Sequence, residues 1–543
     1  PTINVGDIHF ADFDLKYKDQ TLGIDSKLLL GSLDLSMDEL DLEKMIFQID
    51  ELTLTDINGQ YTQIFLTASD SSTEEDSSDS ILPTIMVDEL NIYNLKGSYH
   101  SPPTLAFFDG QIDQFETEIS LIDLNEQKIQ LDKLLLDQSE ITFKSYSKPP
   151  STADTSNINT DFSWPEWSVE ASNIELSNNG ILLITDSTQL EEKVFNPAHI
   201  DIKDFNLSIN QASLKNEITT LNIDDLSFME RCGLVLQNLT FKAKLSNQKA
   251  SLQQLKVNLN GNVLTGNTSI SYPSINEWLN DPTLATISTD INLKLKSFDP
   301  IYAFQPALDT NSYLKNIASK TLEAEFKING KTEELSINKI RVNWGKVTRF
   351  SLNGAVYKIS EMDSIHFKDL NYQFATSKSD LNTLADLSNL DLDIPKSIEW
   401  KGTTTGSFEE ITSTNQLISS LGNISLNGSL NRANSQIKFR TNLSTDSLQI
   451  GQLIQNNDLG PLTISLKAEG GGNTLSDLDA SLQANILSIQ YQDYTIDSLK
   501  LMGTMKDGKG KINFDYTDYN VDLSLTVNAN LDSMYQKAQM QLN

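Results

Sequence analysis

The stretch VDLSLTVNANL, residues 521–531, decides the fold class, because six apolar residues alternate in it with five polar ones without a break. Side chains of a β-strand point alternately to its two faces, so this pattern is typical of a strand with one buried face and one wet face. A helix would space its apolar residues three or four apart. Similar runs recur at residues 200–209, 255–259, 365–374, 437–443, 462–466 and 512–516. The sequence therefore predicts an all-β protein.

The short segments that connect these runs favour tight turns and hence a mostly antiparallel sheet. Asn-Gly and Asp-Gly pairs tolerate the positive φ angles of hairpin turns. They occur at residues 260–261, 329–330, 353–354, 427–428 and 507–508. An aliphatic residue followed by Asp recurs at residues 49–50, 87–88, 223–224 and 496–497, which predicts a degenerate β repeat. Short helices are predicted at residues 274–279, 311–318, 381–387, 415–421 and 448–455.

Two polar segments interrupt the strand pattern. Residues 68–80 contain six Ser and five acidic residues, and residues 147–163 are rich in Pro, Ser, Thr and Asn. Such compositions bury too little apolar surface to fold by themselves. We therefore expect β repeats over residues 1–67, 81–146 and 164–543, with loops at 68–80 and 147–163.

The charge of the chain limits its partners. The 74 acidic residues outnumber the 41 basic ones, which gives a net charge of −33, and the basic residues form no cluster. This argues against nucleic acid and against adsorption to anionic headgroups. No signal-peptide pattern opens the chain, and no apolar run approaches the roughly 20 residues that cross a bilayer. If the full protein has a membrane anchor, that anchor is therefore expected outside this sequence.

The sequence shows no catalytic or metal-binding motif, so we expect neither an enzyme nor a cofactor. The four His residues lack metal-ligand spacing, and His366 is predicted to lie on the surface. The single cysteine, Cys232, excludes an intrachain disulfide and a Cys-based zinc site, and we expect it to be buried and inert. The Gly triplet at 470–472 is predicted to be a turn or bulge rather than a phosphate loop. The acidic residues at 12–14 and 38–41 are predicted to be solvated strand edges rather than calcium ligands.

The apolar face of the predicted sheet must be covered by something. Two sheets could cover each other in a sandwich, or one sheet could curl into an open trough that holds lipid chains. At about 0.8 kcal/mol for each buried CH₂, an acyl chain would gain on the order of 10 kcal/mol in such a trough. The alternation alone does not decide between these two arrangements.

The order of strands near the end of the chain resembles a known family. Within residues 475–531, LDASLQA (478–484) leads to YQDYTIDSL (491–499), then to LMG (501–503) and the strand at 521–531. This order resembles the repeating unit of the AsmA-like envelope proteins and, among them, the TamB-type (translocation and assembly module) proteins of Bacteroidota. Residues 336–359 have the same character, and the resemblance extends over residues 250–543.

The resemblance implies a fold, a location and a set of partners. It implies a β-groove in the periplasm of a Gram-negative bacterium, related to bridge-like lipid-transfer proteins of the chorein type. Proteins of this kind are thought to pass phospholipids between membranes, or to assist the insertion of outer-membrane proteins with a barrel partner. The chain would be tethered to the inner membrane by a segment outside this sequence, and no catalytic residue is carried over.

We therefore predict a long, repetitive, mostly antiparallel sheet curled into an open groove that carries phospholipid acyl chains toward the outer membrane. One alternative is an assembly factor that pairs its strand edge with outer-membrane proteins, and another is a cargo-free β-sandwich scaffold or adhesin. A one-residue register error would turn a whole strand over. The alternation assigns the following residues to the groove lining: Val257, Phe367, Phe439, Ile464, Ile512, Phe514, Leu523, Leu525 and Val527.

Overall fold

The structure is a computed structural model of the 543-residue chain. It describes residues 2–3, 6–65, 82–146, 161–385, 387, 392–432, 436–474, 477–507, 509–519, 521–530 and 537–542. The chain forms two compact units: unit 1 contains Pro1–Pro282 and Leu295–Asn311, and unit 2 contains Thr283–Lys294 and Ser312–Asn543. The predicted loop at 68–80 lies outside the described residues, as do residues 147–160 of the predicted loop at 147–163.

Unit 1 is built on one sheet in which, from β3 onward, each strand pairs with the next strand in sequence. Its strands are β1 (Thr2–Ile3), β2 (Ile8–Asp19), β3 (Ile24–Asp41), β4 (Ile46–Gln63), β5 (Thr84–Ser101), β6 (Ala106–Asp123), β7 (Lys128–Ser145), β8 (Ser168–Ile184), β9 (His199–Lys215), β10 (Ile218–Glu230), β11 (Val235–Ser246), β12 (Lys249–Leu259) and β13 (Asn262–Ser271). Both β1 and β2 pair with β3. The pairs β4–β5 and β7–β8 are parallel, and the other pairs of unit 1 that the structure describes are antiparallel.

The early strands of unit 1 form a regular repeat. Each of β3 to β7 has 18 residues, and the turns before β3, β4, β6 and β7 have four residues each. The last residue of each turn has a positive φ angle: Gly23, Met45, Leu105 and Gln127. The sequence predicted a repeat with irregular spacing, whereas the antiparallel part of this region repeats every 22 residues.

A row of residues with positive φ angles crosses the strands of unit 1 at one level. Asp12 in β2, Asp56 in β4, Asn94 in β5, Gln138 in β7 and Asn178 in β8 have φ angles between 51° and 56°. We call these five residues the kink row. Each strand contains one extra residue at this level, so successive apolar residues there are three positions apart in sequence instead of two. Because neighbouring strands are kinked together, the register on the two sides of the row is the same in β2–β3, β4–β5 and β7–β8.

Replacing Asn94 by Val is expected to destabilise unit 1 more than replacing it by Gly. Asn94 has a φ angle of 56°, and its side-chain amide donates to Asp56 Oδ1 at 3.0 Å. Both substitutions remove this hydrogen bond, but only Val also meets the steric cost of the left-handed region, about 1–2 kcal/mol. Urea unfolding followed by far-UV circular dichroism should show the difference. Asn91→Val, at an ordinary paired position of the same strand, is the control, and equal midpoints for the Val and Gly variants of Asn94 would contradict the role of the kink row.

The small buried core of unit 1 lies where helix α2 (Asp299–Phe304) meets the sheet. Cys232, Leu234 and Ala303 are buried together, and Phe195 and Leu259 pack against them. Unit 1 also contains α1 (Ile275–Asn280) and the 3₁₀ turns Pro102–Thr104 and Pro306–Thr310.

Unit 2 also consists mainly of β-strands, and its described strand pairs are all antiparallel. Its strands are β14 (Thr286–Leu295), β15 (Leu322–Gly330), β16 (Glu334–Trp344), β17 (Thr348–Tyr357), β18 (His366–Ser377), β19 (Ser397–Ser407), β20 (Glu410–Ser419), β21 (Gly422–Asn431), β22 (Lys438–Asp446), β23 (Leu448–Gln449), β24 (Leu459–Gly471), β25 (Asp479–Tyr491), β26 (Tyr494–Lys506), β27 (Lys509–Thr517), β28 (Asp522–Asn530) and β29 (Lys537–Leu542). Its helices are α3 (Ser312–Ala318), α4 (Lys378–Leu384) and α5 (Ile450–Leu453), with a 3₁₀ turn at Met362–Ser364. A further 3₁₀ turn, Pro282–Leu284, precedes β14.

The predicted turns are partly confirmed. Asn260 and Gly261, with φ angles of 52° and 76°, form a two-residue turn between β12 and β13. Asn329-Gly330 ends β15 at a turn, and Asp507 follows β26, while Gly508 is outside the described residues. The predictions at 353–354 and 427–428 are wrong, because both pairs lie inside strands. Gly354 stands at a register shift of β17, and Gly428 brings β21 close to β22, where an added Cβ would lie 3.2 Å from the Arg440 carbonyl oxygen.

The helix predictions also have mixed outcomes. The helix at 274–279 is confirmed as α1, where the Ser274 side chain accepts a hydrogen bond from the Glu277 backbone N–H as an N-cap. The helix predicted at 311–318 is confirmed as α3. The helix predicted at 381–387 is present as α4 but begins three residues earlier, and the helix predicted at 448–455 is present only as the shorter α5. The helix at 415–421 is wrong, because residues 410–419 form β20 and pair on both sides. Pairing with two neighbouring strands overrides the local preference of this segment.

The fold class predicted from the sequence is confirmed. Both units are all-β, repetitive and mostly antiparallel, with few and short helices. In the described residues neither unit closes its strands into a barrel, so each unit presents an open, curled array of strands. The register shifts are places where such strands bend and twist more strongly.

Candidate functional site

The candidate site is the apolar face of the sheet in unit 2. Directly opposed residues of paired strands lie on the same face, so the strand register shows which side chains are neighbours. One transverse line of opposed residues crosses fourteen strands of the unit, and we call it the central rung. It consists of Phe326, Ile340, Leu352, Tyr372, Gly402, Asn415, Leu426, Leu443, Leu466, Ala484, Leu501, Phe514, Leu525 and Leu542.

The structure brings most of the predicted lining residues onto this face. Phe514 opposes Leu525 on the central rung. The neighbouring opposed pairs are Ile512 with Val527 and Tyr516 with Leu523, so the five predicted residues of β27 and β28 lie together.

The other predicted residues of unit 2 lie elsewhere on the same face. Ile464 opposes Ile486 and is two residues from Leu466 of the central rung. Phe439 opposes Leu430 and Gly470. Phe367 opposes Gly406. On the next strands of the same transverse line, Gly406 opposes Ile411, Ile411 opposes Leu430, and Leu430 opposes Phe439.

Val257 lies in unit 1, on the apolar face of the strands of that unit. It opposes Leu239 in β11 and Leu264 in β13. The exposed members of the unit 1 face include Phe10 (54% exposed), Phe13 and Leu15 on β2. These three residues show the step of three at the kink row, because Asp12 lies between Phe10 and Phe13.

Within the part of the chain that the structure describes, several apolar side chains on this face of unit 2 remain exposed. Leu426 is 40% exposed and Leu523 is 38% exposed, while Phe514, Leu525 and Val527 are half-buried. Soluble proteins rarely leave a contiguous apolar surface of this extent in contact with water, and such surfaces usually bind something.

The opposite face of the same strands is polar. Asn513 opposes Thr526, and the Thr526 hydroxyl donates to Asn513 Oδ1 at 3.1 Å. Shallow depressions on this side are lined by Asn, Ser, Lys, Arg and Glu side chains, as between Arg440 and Glu469. These depressions offer no apolar chamber, so the two faces differ sharply in chemistry.

The described residues contain no group of three or more His, Cys, Asp or Glu side chains arranged to hold a metal ion. Cys232 is buried, as predicted, and burial together with the neighbouring Glu230 raises the pKa of its thiol to about 11. A thiol with this pKa stays protonated near neutral pH and is a poor nucleophile. His366 is exposed on β18, as predicted.

One feature of the face was missed by the sequence analysis. Tyr372 and Asn415 interrupt the central rung with polar groups, and Trp400, Thr404 and Ser413 lie beside them. We call these five residues the neutral polar cluster. Tyr372 belongs to an apolar run of the sequence and Asn415 to a predicted helix, so no sequence signal unites them.

None of the helices that the structure describes combines the length and the apolar character that a bilayer-crossing segment requires. No protein-family model matches the sequence, and neither a curated protein nor a solved structure matches it.

Proposed function

We propose that the chain carries phospholipid acyl chains along the apolar face of its open sheet. The observation that carries this proposal is the central rung, which is apolar without interruption from Leu426 to Leu525 across seven strands. Strands lie about 4.8 Å apart, so this apolar path extends roughly 29 Å along the sheet. One leaflet of a bilayer has a hydrocarbon thickness of about 15 Å, so the path is long enough for an extended acyl chain.

Contact with lipid is energetically more favourable than contact with water on this face. Each CH₂ group removed from water contributes about 0.8 kcal/mol, and the half-buried side chains of the face gain in the same way. The headgroups would remain in solvent, since no cation stands on the apolar path from Leu426 to Leu525 to receive a phosphate. Lipid could therefore move along the face without breaking specific polar contacts.

The place of this activity is part of the proposal. The resemblance to AsmA-like and TamB-type proteins supports a periplasmic bridge-like protein that acts toward the outer membrane of a Gram-negative cell. In this setting an outer-membrane barrel partner and an inner-membrane anchor outside this sequence complete the path. The outcome for the cell would be biogenesis and maintenance of the outer membrane.

Native mass spectrometry of the mildly purified chain, with extraction and identification of its lipids, tests this function. We expect several phospholipids for each chain, because both units present an apolar face. After removal of the lipid, the chain should take up phospholipid again from vesicles. A lipid-free mass for a chain that unfolds cooperatively with an all-β spectrum, and that takes up no lipid from vesicles, would contradict the proposal.

A further inference from the structure

The neutral polar cluster stands in the middle of an otherwise apolar line. On one side the central rung continues through Leu352, Ile340 and Phe326, and on the other it continues through Leu426 and beyond. Tyr372, Gly402 and Asn415 occupy the three adjacent strands between them. A continuous apolar rung would need only aliphatic residues here, so the polar side chains call for a separate explanation.

The cluster is held together by direct hydrogen bonds. Asn415 Oδ1 accepts from the Tyr372 hydroxyl at 2.6 Å and from Trp400 Nε1 at 3.0 Å. The indole N–H can only donate, which fixes the orientation of the Asn415 amide. Asn415 Nδ2 donates to Ser413 Oγ at 2.8 Å, and the hydroxyls of Ser413 and Thr404 are 2.9 Å apart.

Gly402 provides the space for this arrangement. A Cβ atom added at Gly402 would lie 2.7 Å from the Tyr372 hydroxyl and 2.7 Å from Asn415 Oδ1. Such distances are too short for any side chain, so Tyr372 and Asn415 meet across the glycine. The Tyr372 and Trp400 rings also pack edge to face, with centroids 5.4 Å apart.

The cluster has hydrogen-bonding capacity left over, and it carries no charge. In the described residues no acceptor lies against the second amide hydrogen of Asn415, and the hydroxyls of Ser413 and Thr404 retain lone pairs. The residues that surround the cluster on this face are Leu352, Leu370, Phe374, Leu417 and Leu426. The nearby Lys401 opposes Gln373 and Gln416, so it belongs to the other face.

The neutral polar cluster and its apolar surroundings favour a ligand whose hydrogen-bond acceptor is uncharged and is attached to hydrocarbon. A phosphate would lose its hydration beside aliphatic side chains with no cation to replace it, which is costly. An ester carbonyl has a lone pair for the free Asn415 N–H and is attached to hydrocarbon that suits the neighbouring leucines. Trp400 is 45% exposed, so the rim of the cluster stays open to water.

We propose that the neutral polar cluster is a binding station for the ester region of an acyl glycerolipid, a role that rests on the proposed function. The ester carbonyl accepts from Asn415, the acyl chain lies along the apolar part of the rung, and the headgroup projects past Trp400 into solvent. A lipid that moves along the face would therefore pause at β18–β20.

Quenching of Trp400 fluorescence by nitroxide-labelled phosphatidylcholine tests this station. The lipid is offered in vesicles, labelled either near the ester or near the methyl end of the acyl chain. The contribution of Trp400 is the difference between the natural chain and Trp400→Phe. We expect the label near the ester to quench Trp400 at least about twofold more than the label near the methyl end.

Asn415→Leu should abolish this difference while the amount of bound lipid is retained, because it removes the amide N–H that would hold the ester carbonyl and leaves the apolar residues of the rung in place. Thr414→Leu, on the opposite face of the same strand, should keep the difference. Equal quenching by the two labels in the natural chain, or equal behaviour of the two Leu variants, would overturn the station while the proposed function still stands. No quenching and no bound lipid would overturn both.

Discussion

Replacing Phe514 and Leu525 together by Asp is expected to reduce phospholipid transfer by the chain at least about tenfold. The two residues oppose each other on the central rung, so the double variant places two carboxylates in the apolar path. Burying a carboxylate against hydrocarbon without a partner costs several kcal/mol, which exceeds the gain from the few CH₂ groups that would pass it. Transfer of labelled phospholipid between two vesicle populations measures the effect, and native mass spectrometry measures the lipid that stays bound.

The matched control for this experiment lies in the same strands. Asn513 and Thr526 form the adjacent opposed pair and face the polar side. Asn513→Asp with Thr526→Asp adds the same charges, with the same repulsion between neighbouring strands, but leaves the apolar face intact. This control should transfer lipid as the natural chain does. If the two double variants fold equally well and lose transfer equally, the apolar face of β27 and β28 is not the lipid path.

The alternation of apolar and polar residues is enough to predict much of the fold and part of the candidate site. The run at 521–531 predicts β28 and its two faces correctly, and it places Leu525 beside Phe514 once the two strands pair. The steps of three within apolar runs, as from Phe10 to Phe13, were present in the sequence as well. They mark the positions at which a strand takes an extra residue, as at Asp12, and could have predicted the kink row.

The remaining features depend on contacts between distant residues. The neutral polar cluster needs three strands in one register, and a shift of one residue would separate Tyr372 from Asn415. The two strands of each parallel pair, β4–β5 and β7–β8, are connected by a polar segment whose composition says nothing about strand direction. Gly428 and Gly354 belong to Asn-Gly pairs that are typical of turns, yet both lie inside strands. Gly428 allows β21 to lie close to β22, and Gly354 stands at a register shift of β17.

Replacing Asp380 by Ala is expected to lower the free energy of unfolding of unit 2 by about 3 kcal/mol. Asp380 is buried at the start of α4, where Oδ1 accepts from Lys320 Nζ at 2.7 Å and Oδ2 accepts from the Thr348 hydroxyl at 2.5 Å. Lys320 also lies over the Trp344 ring, with Nζ 4.3 Å from the centroid. Removing the carboxylate leaves the partly buried ammonium group and the buried hydroxyl without this partner, which is among the costly changes in a folded chain.

The same site gives unit 2 a dependence on acid. Burial by itself would raise the pKa of Asp380, but the hydrogen bonds and ion pair with Lys320, together with the Thr348 and Ser377 hydroxyls, hold it below its usual value. An Asp with a lowered pKa stabilises the fold fully above its unfolded value, about 4, and this stability is lost as the pH falls through the lowered value. Unfolding midpoints of the natural chain should therefore decrease below about pH 4 partly through this group. Asp380→Asn should remove that part of the decrease.

An exposed ion pair in the same unit serves as the control for Asp380. Lys327 Nζ lies 2.9 Å from Asp290 Oδ2, and both side chains are about half exposed. Solvent screens such a pair, so Asp290→Ala should cost less than about 1 kcal/mol. Urea unfolding followed by circular dichroism compares the two Ala variants. Equal losses would show that the buried site of Asp380 contributes no more than a surface pair. A larger loss for Asp380→Ala would mean that α4 is held to the sheet through Lys320 and Thr348.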